Sequence, residues 1–233
     1  MACSRDERHG RAPALPPEQR ESAGGRAYLM PVDPVSDGTW VAANDAGLAL
    51  TLLNYNPEDP PTGRTVSRGG VVTELAGCAT LDEAVAGCRA IRAGEMMPFR
   101  LVLCDGERFA VWRSDASAAA IAPEPLTGPV MFTSSGLGDH LVEPPRRELF
   151  DTWFSDDTEK HTDEQLAFHR HRWPDRPQVS VAMSRDDART VSYTTVDIAP
   201  GRVMMGYHPD RPDLPADDVE AVLERRPHPP VSA

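Results

Sequence analysis

The chain has 233 residues, enough for one sizeable domain with its own buried core. Its 24 Lys plus Arg stand against 36 Asp plus Glu, and the net charge of −12 repels phosphate backbones and anionic lipid surfaces. Nucleic acid and membrane are therefore excluded as expected partners. No apolar run approaches the roughly 18 residues of a spanning helix, and no basic-then-apolar leader is seen, so the reading is of a cytoplasmic protein.

Residues 8–26, "RHGRAPALPPEQRESAGGR", carry prolines, glycines and charges without apolar period, which predicts a loop. "AYLMPV", "TWVAAN" and "GLALTLLNY" then read as strands, with "NDAG" as the tight turn of a β-hairpin. Two helices follow. "SRGGVVTELAG" groups Val71, Val72 and Leu75. The second is marked by a capping box, Thr80 with Glu83, and by one apolar face of Leu81, Ala84, Val85, Cys88 and Ile91. Cys88 thus reads as core. The other cysteines, Cys3, Cys78 and Cys104, form no CxxC pair, so reduced thiols are expected.

After Pro98 the pattern predicts strands at "FRLVLCDG", "ERFAVWR", "AAAIAP" and "PVMFTSS", with "CDGE" as a turn. A helix through "PPRRELFDTWF" and another opened by a Thr162–Gln165 capping box come next. "VSVAMSR", "RTVSYTTVDI" and "GRVMMGYH" predict three closing strands. Strands and helices are segregated, which predicts an α+β fold of stacked antiparallel sheets with helical layers. Residues 1–208 are read as the domain and 209–233 as a Pro-rich, charged tail with one weak helical turn around "DDVEAVLERR".

Motif chemistry is sparse. HExxH, GxGxxG and a phosphate-binding glycine loop are missing from the sequence. "SSGLGDH" holds serine, aspartate and histidine, but triad members are assembled from distant segments and the glycine expected before a nucleophile-elbow serine is absent. His169 and His171, two apart on a predicted helix, face different directions and read as a solvated face.

Four further stretches carry a resemblance: Ser4-Arg5-Asp6-Glu7 with Arg11-Ala12-Pro13, Gly38-Thr39-Trp40, Leu53-Asn54-Tyr55, and "SRGGVVTELAG" followed by "FTSSGLGDHLVEPPRRELF". In this order, over roughly residues 3–208, they resemble the NRDE family, named for an Asn-Arg-Asp-Glu motif, whose eukaryotic members are called transport and Golgi organisation protein two. The family is in turn similar to N-terminal nucleophile hydrolases, which implies an αββα four-layer sandwich. It also implies a small amide or acyl substrate, attacked by the thiol of an N-terminal cysteine whose own α-amine is the base. By motif, Arg5 and Asp6 correspond to the pair that holds that terminus. Asn54 corresponds to an asparagine that polarises the substrate carbonyl, and Ser134 stands where a second such asparagine falls. The family's cysteine opens a strand well before the motif, so Cys3 is expected to be a sheet residue, and the chain is expected to lack its first strand.

Two functions from different classes follow from the resemblance. One is an amide or acyl hydrolase with Arg5, Asp6, Asn54 and Ser134 in its pocket. The other is a non-catalytic carrier of a small ligand, with haem the concrete candidate and His208, Met204, Met205, Met96 and Met97 as possible axial ligands. A scaffold without ligand is the third. No cofactor is otherwise expected.

Overall fold

The turn at "NDAG" closes as its residues require. The Asn44 amide donates to the Leu48 carbonyl (3.0 Å), the Gly47 amide donates to the Asn44 carbonyl (2.9 Å), and Gly47 takes a φ of 91° that favours glycine. The computed structural model describes residues 1–154 and 162–226. Its strands before the first helix are β1 (Ala2–Arg8), β2 (Leu15–Glu21), β3 (Ala27–Val32), β4 (Val41–Asn44) and β5 (Ala49–Asn54). Helices α1 (Gly69–Leu75) and α2 (Leu81–Gly87) precede β6 (Phe99–Cys104), β7 (Arg108–Arg113) and the two-residue β8 (Glu124–Pro125). Helices α3 (Asp139–Trp153) and α4 (Thr162–Arg170) lead to β9 (Ala188–Ala199), β10 (Arg202–His208) and β11 (Val219–Glu224).

The strands form two antiparallel sheets, one ordered β1-β9-β10-β11 and the other β2-β3-β4-β5-β6-β7-β8. The α+β reading therefore holds at the level of mixed helices and two antiparallel sheets. Strand alternation gives the larger sheet two apolar faces. Met30, Leu48, Leu50, Leu101 and Leu103 pack on one side with Val72, Leu75, Leu81 and Ala84 of the first two helices. Leu29, Val41, Ala43 and Ala49 pack on the other side against Val196, Val203, Met205 and Leu223 of the smaller sheet. The α2 cap also forms: the Thr80 hydroxyl accepts from the Glu83 amide at 3.1 Å, and Cys88 is fully buried. Thr162 begins α4, whereas the side-chain cap expected of it lies outside the described residues.

Six expectations are corrected. The predicted loop at 8–26 contains β2, an edge strand whose Pro16 and Pro17 sit at a break in register between Leu15 and Glu18, where no ladder amide is required. "AAAIAP" is a short 3₁₀ turn over Ala118–Ala120. "PVMFTSS" and "VSVAMSR" are irregular, because arginine side chains take their carbonyls in place of a neighbouring strand: Arg147 and Arg100 bond the Met131 and Thr133 carbonyls, and Arg146 bonds those of Val179 and Ser180. The weak helical turn near 219 is β11, since Val219, Ala221 and Leu223 also alternate at period two and Leu223 is buried on β10. A strand therefore occupies part of the segment read as a tail, and residues 227–233 of it lie outside the described residues. Finally, α3 starts at Asp139, five residues before the predicted "PPRRELFDTWF", and carries Pro144 and Pro145 inside it.

Candidate functional site

Alternation along β1 separates its side chains into two sets. Cys3 and Arg5 face the larger sheet. The Cys3 thiol donates to the Thr51 hydroxyl (3.4 Å) on β5, while Arg5 is bonded to Glu7 and Asp33 (both 3.3 Å) and lies 4.6 Å over the Trp40 ring. Ser4 and Asp6 face the other way. A bulge in the β1–β9 ladder between Arg5 and Asp6 brings Asp6 to Thr190, whose hydroxyl donates to it at 2.6 Å. On the same side, the Ser4 hydroxyl lies 2.8 Å from Nδ1 of His169, the penultimate residue of α4.

One cavity of about 1090 Å³ is lined by both sets. Arg5, Asp6, Asn54 and Ser134, taken from three separate stretches of sequence, all border it. Asn54 ends β5 as an exposed residue, and Ser134 lies in the loop before α3. Asp139 joins those two segments: it accepts from the Ser135 amide (2.9 Å) and from the backbone and side-chain amides of Asn56 (both 3.3 Å). A backbone contact holds the wall at Arg68. The Thr39 amide donates to the Gly69 carbonyl (3.2 Å), and a Cβ on Gly38 would meet the Gly69 Cα at 2.6 Å, so the Gly-Thr-Trp and Arg-Gly stretches approach this closely because residue 38 is glycine.

The cavity is basic within an acidic chain. Among the described residues, seven arginines and four carboxylates line it. Arg5 and Arg11 are shared by Glu7 and Asp33, but Arg64 and Arg68 donate to the backbone carbonyls of Met96 (3.0 Å) and Pro98 (3.1 Å) and have no ion-pair partner among the described residues. A carbonyl orients a guanidinium without neutralising it, so these two cations are available to an anion. Burial pushes Arg68 below the ordinary arginine value, with Glu7 acting the other way.

Burial also sets the state of the other groups. It raises the Cys3 thiol, against the Thr51 hydrogen bond, which makes Cys3 a poor thiolate. It raises the Asp6 carboxyl, opposed by Arg146, the Thr190 hydroxyl and Arg185. Arg146 is itself buried. Its three nitrogens reach the Thr133 hydroxyl (2.6 Å), the Ser180 carbonyl (2.6 Å) and the Val179 carbonyl (3.0 Å).

His169 was expected on a solvated face and is instead packed between Phe168 and Tyr193, its ring 4.9 Å from that of Tyr193. Burial first, then Arg146 and the chain's amino group, lower its pKa from 6.5 to about 4. An unfolded chain takes up this proton between pH 6.5 and about 4 and the folded one does not. The stability contributed by His169 is thus complete above pH 6.5 and is lost as pH falls to about 4, by up to about 3 kcal/mol. Urea titrations at pH 7 and pH 4.5 should show this loss in the parent and a smaller one in His169→Gln; equal losses would contradict it.

The proposed haem ligands do not gather at this cavity. Nδ1 of His208 meets Asp218 at 2.6 Å and Nε2 meets the Arg211 carbonyl at 3.2 Å, which leaves neither nitrogen free to ligate. Met205 is sealed in the inter-sheet core, Met96 packs on the helical side, and only Met97 of the set borders the cavity. Those residues do not fit haem here. Among the described residues no group of three or more His, Cys, Asp or Glu is placed to hold a metal ion, and no helix is long and apolar enough to cross a membrane.

Arg146 and His169 are the site residues that motif reasoning missed. A signal for Arg146 exists, since it shares helical spacing with Val142, Leu149, Phe150 and Trp153 and so sits in an apolar stripe. His169 carries no comparable signal, because its partner Ser4 is 165 residues away. Compared with known proteins, the chain matches no family model and no curated protein.

Proposed function

We propose that this chain is an NRDE-family protein with an αββα sandwich of the N-terminal nucleophile hydrolase type, and that its cavity binds a small acyl or amide compound carrying a carboxylate or phosphate. The observation that carries this reading is that Arg5, Asp6, Asn54 and Ser134, chosen by motif, border one cavity in whose described lining arginines outnumber carboxylates. The helix–sheet and sheet–sheet packing described above supports three successive layers of such a sandwich, one helical and two of sheet. A cavity of about 1090 Å³ is ample for a ligand of small-metabolite size. Arg64 and Arg68 supply the anion contacts, and the Asn54 and Ser134 side chains supply polar contacts for a carbonyl. The raised Cys3 thiol speaks against thiolate attack by that residue and leaves a carrier role open to the same cavity.

N-Acetylglutamate, which carries an amide and two carboxylates, is a suitable probe. Calorimetry should show it binding, more weakly as salt rises, and better than its uncharged diester. Arg68→Gln should weaken binding about tenfold, the effect of losing roughly 1.5 kcal/mol of charge-assisted hydrogen bonding. Equal binding of the diester, or no effect of Arg68→Gln, would overturn the anion assignment.

A further inference from the structure

We propose that Ser4 and His169 form a nucleophile–base pair that transfers an acyl group from an activated ester or thioester held in this cavity. The inference rests on the ligand class proposed above and adds a reaction that the motif residues do not provide. Three observations carry it. The Ser4 hydroxyl and His169 Nδ1 are 2.8 Å apart, within the reach a nucleophile and its base need. Both residues border the 1090 Å³ cavity in which the acyl group would lie. Both are fixed: Ser4 by its ladder position opposite Tyr193, and His169 by ring contacts with Phe168 and Tyr193.

The protonation state agrees with the role. His169 faces Tyr193 from β9 and Ser4 from β1, and burial first, then Arg146 from α3 and the amino group of Met1, keep the imidazole neutral at pH 7. A neutral ring with its proton on Nε2 accepts the Ser4 proton at Nδ1. The Ser4 oxygen then bonds to the acyl carbon, the proton passes to Nδ1, and the bond from carbon to the leaving group breaks as Nδ1 returns that proton to it. Water completes the cycle: it attacks the acyl-serine, Nδ1 takes its proton, and Ser4 regains a proton as the carboxylic acid departs. A base this weak favours leaving groups that depart with little help, so esters of acidic alcohols and thioesters are preferred over amides.

The mono(4-nitrophenyl) ester of glutaric acid, an activated acyl group with a free carboxylate, tests the pair. The expected result is a burst of nitrophenolate equal to the protein present, with a glutaryl mass increment on the peptide containing Ser4. Ser4→Ala should lower the release rate at least 100-fold and His169→Gln by a similar factor, while both still bind N-acetylglutamate. A hydrogen bond that merely ties α4 to β1 predicts no label on Ser4. An increment mapped to Cys3 or elsewhere, or no increment, on the parent protein would overturn the proposal even if the variants failed to fold. Failure of the parent to bind N-acetylglutamate would count against the ligand class, whereas binding without Ser4 acylation would count against the pair alone.

Discussion

Arg146→Leu is expected to destabilise the protein by about 4 kcal/mol, because a buried guanidinium is removed and its acceptors are left in place. Thr133, Val179 and Ser180 each lose a donor, and Asp6 loses the cation that most opposes the upward push of burial on its carboxyl. For a chain of this length such a loss lowers the melting temperature by roughly 10 °C. Arg146→Lys keeps the charge but cannot reach three acceptors in three directions, so it should recover less than half of the loss. Equilibrium urea unfolding measures both. A leucine variant within about 1 kcal/mol of the parent would show that the irregular segments at 129–135 and 179–185 are held by something other than this side chain.

Asn44→Ala should have an effect of comparable size, roughly 3 to 4 kcal/mol, through a different cause. Asn44 is fully buried, and its side chain accepts from the Ala46 and Leu48 amides (both 3.0 Å) while donating to the Ala76 (2.9 Å) and Cys78 (2.7 Å) carbonyls. It therefore ties the β4–β5 turn to the connection between α1 and α2. Asn44→Asp separates the two roles: a carboxylate still accepts from the turn amides but faces two carbonyls that it cannot bond. The aspartate variant should be at least as unstable as alanine near pH 7 and should recover as the pH is lowered. An aspartate variant as stable as the parent at pH 7 would remove the tie to Ala76 and Cys78 from the explanation.

Asn44 also shows what is legible in a sequence of this kind. Its turn, the α2 cap and the strands flanking them are encoded within a few residues, by glycine at a positive φ, by a hydroxyl three residues before a glutamate, and by apolar periods of two or 3.6. The segments at 118–123, 129–135 and 179–185 have apolar runs but join no strand ladder, Ser184 making only an isolated bridge to Arg189. In the last two, the backbone groups that a ladder would use are taken by Arg100, Arg146 and Arg147 from distant segments. β2 shows the converse: two prolines mask a strand that tolerates them because it lies at an edge. Within the site, Arg5, Asp6, Asn54 and Ser134 were accessible through a motif pattern and not through any local physical signal. Arg146 and His169 acquire their roles only when the fold brings α3 and α4 near Asp6 and Ser4 of β1, and a single sequence records no trace of that proximity beyond an arginine in an apolar stripe.

The most direct test of the cavity as a ligand site is a crystal structure of the protein at a concentration of N-acetylglutamate that calorimetry shows to be saturating. The expected density lies inside the cavity, with a carboxylate against Arg64 or Arg68 and the acetyl group toward Asn54 and Ser134. Ligand density on the outer surface, with Arg64 and Arg68 still donating only to the Met96 and Pro98 carbonyls as they do now, would contradict the assignment.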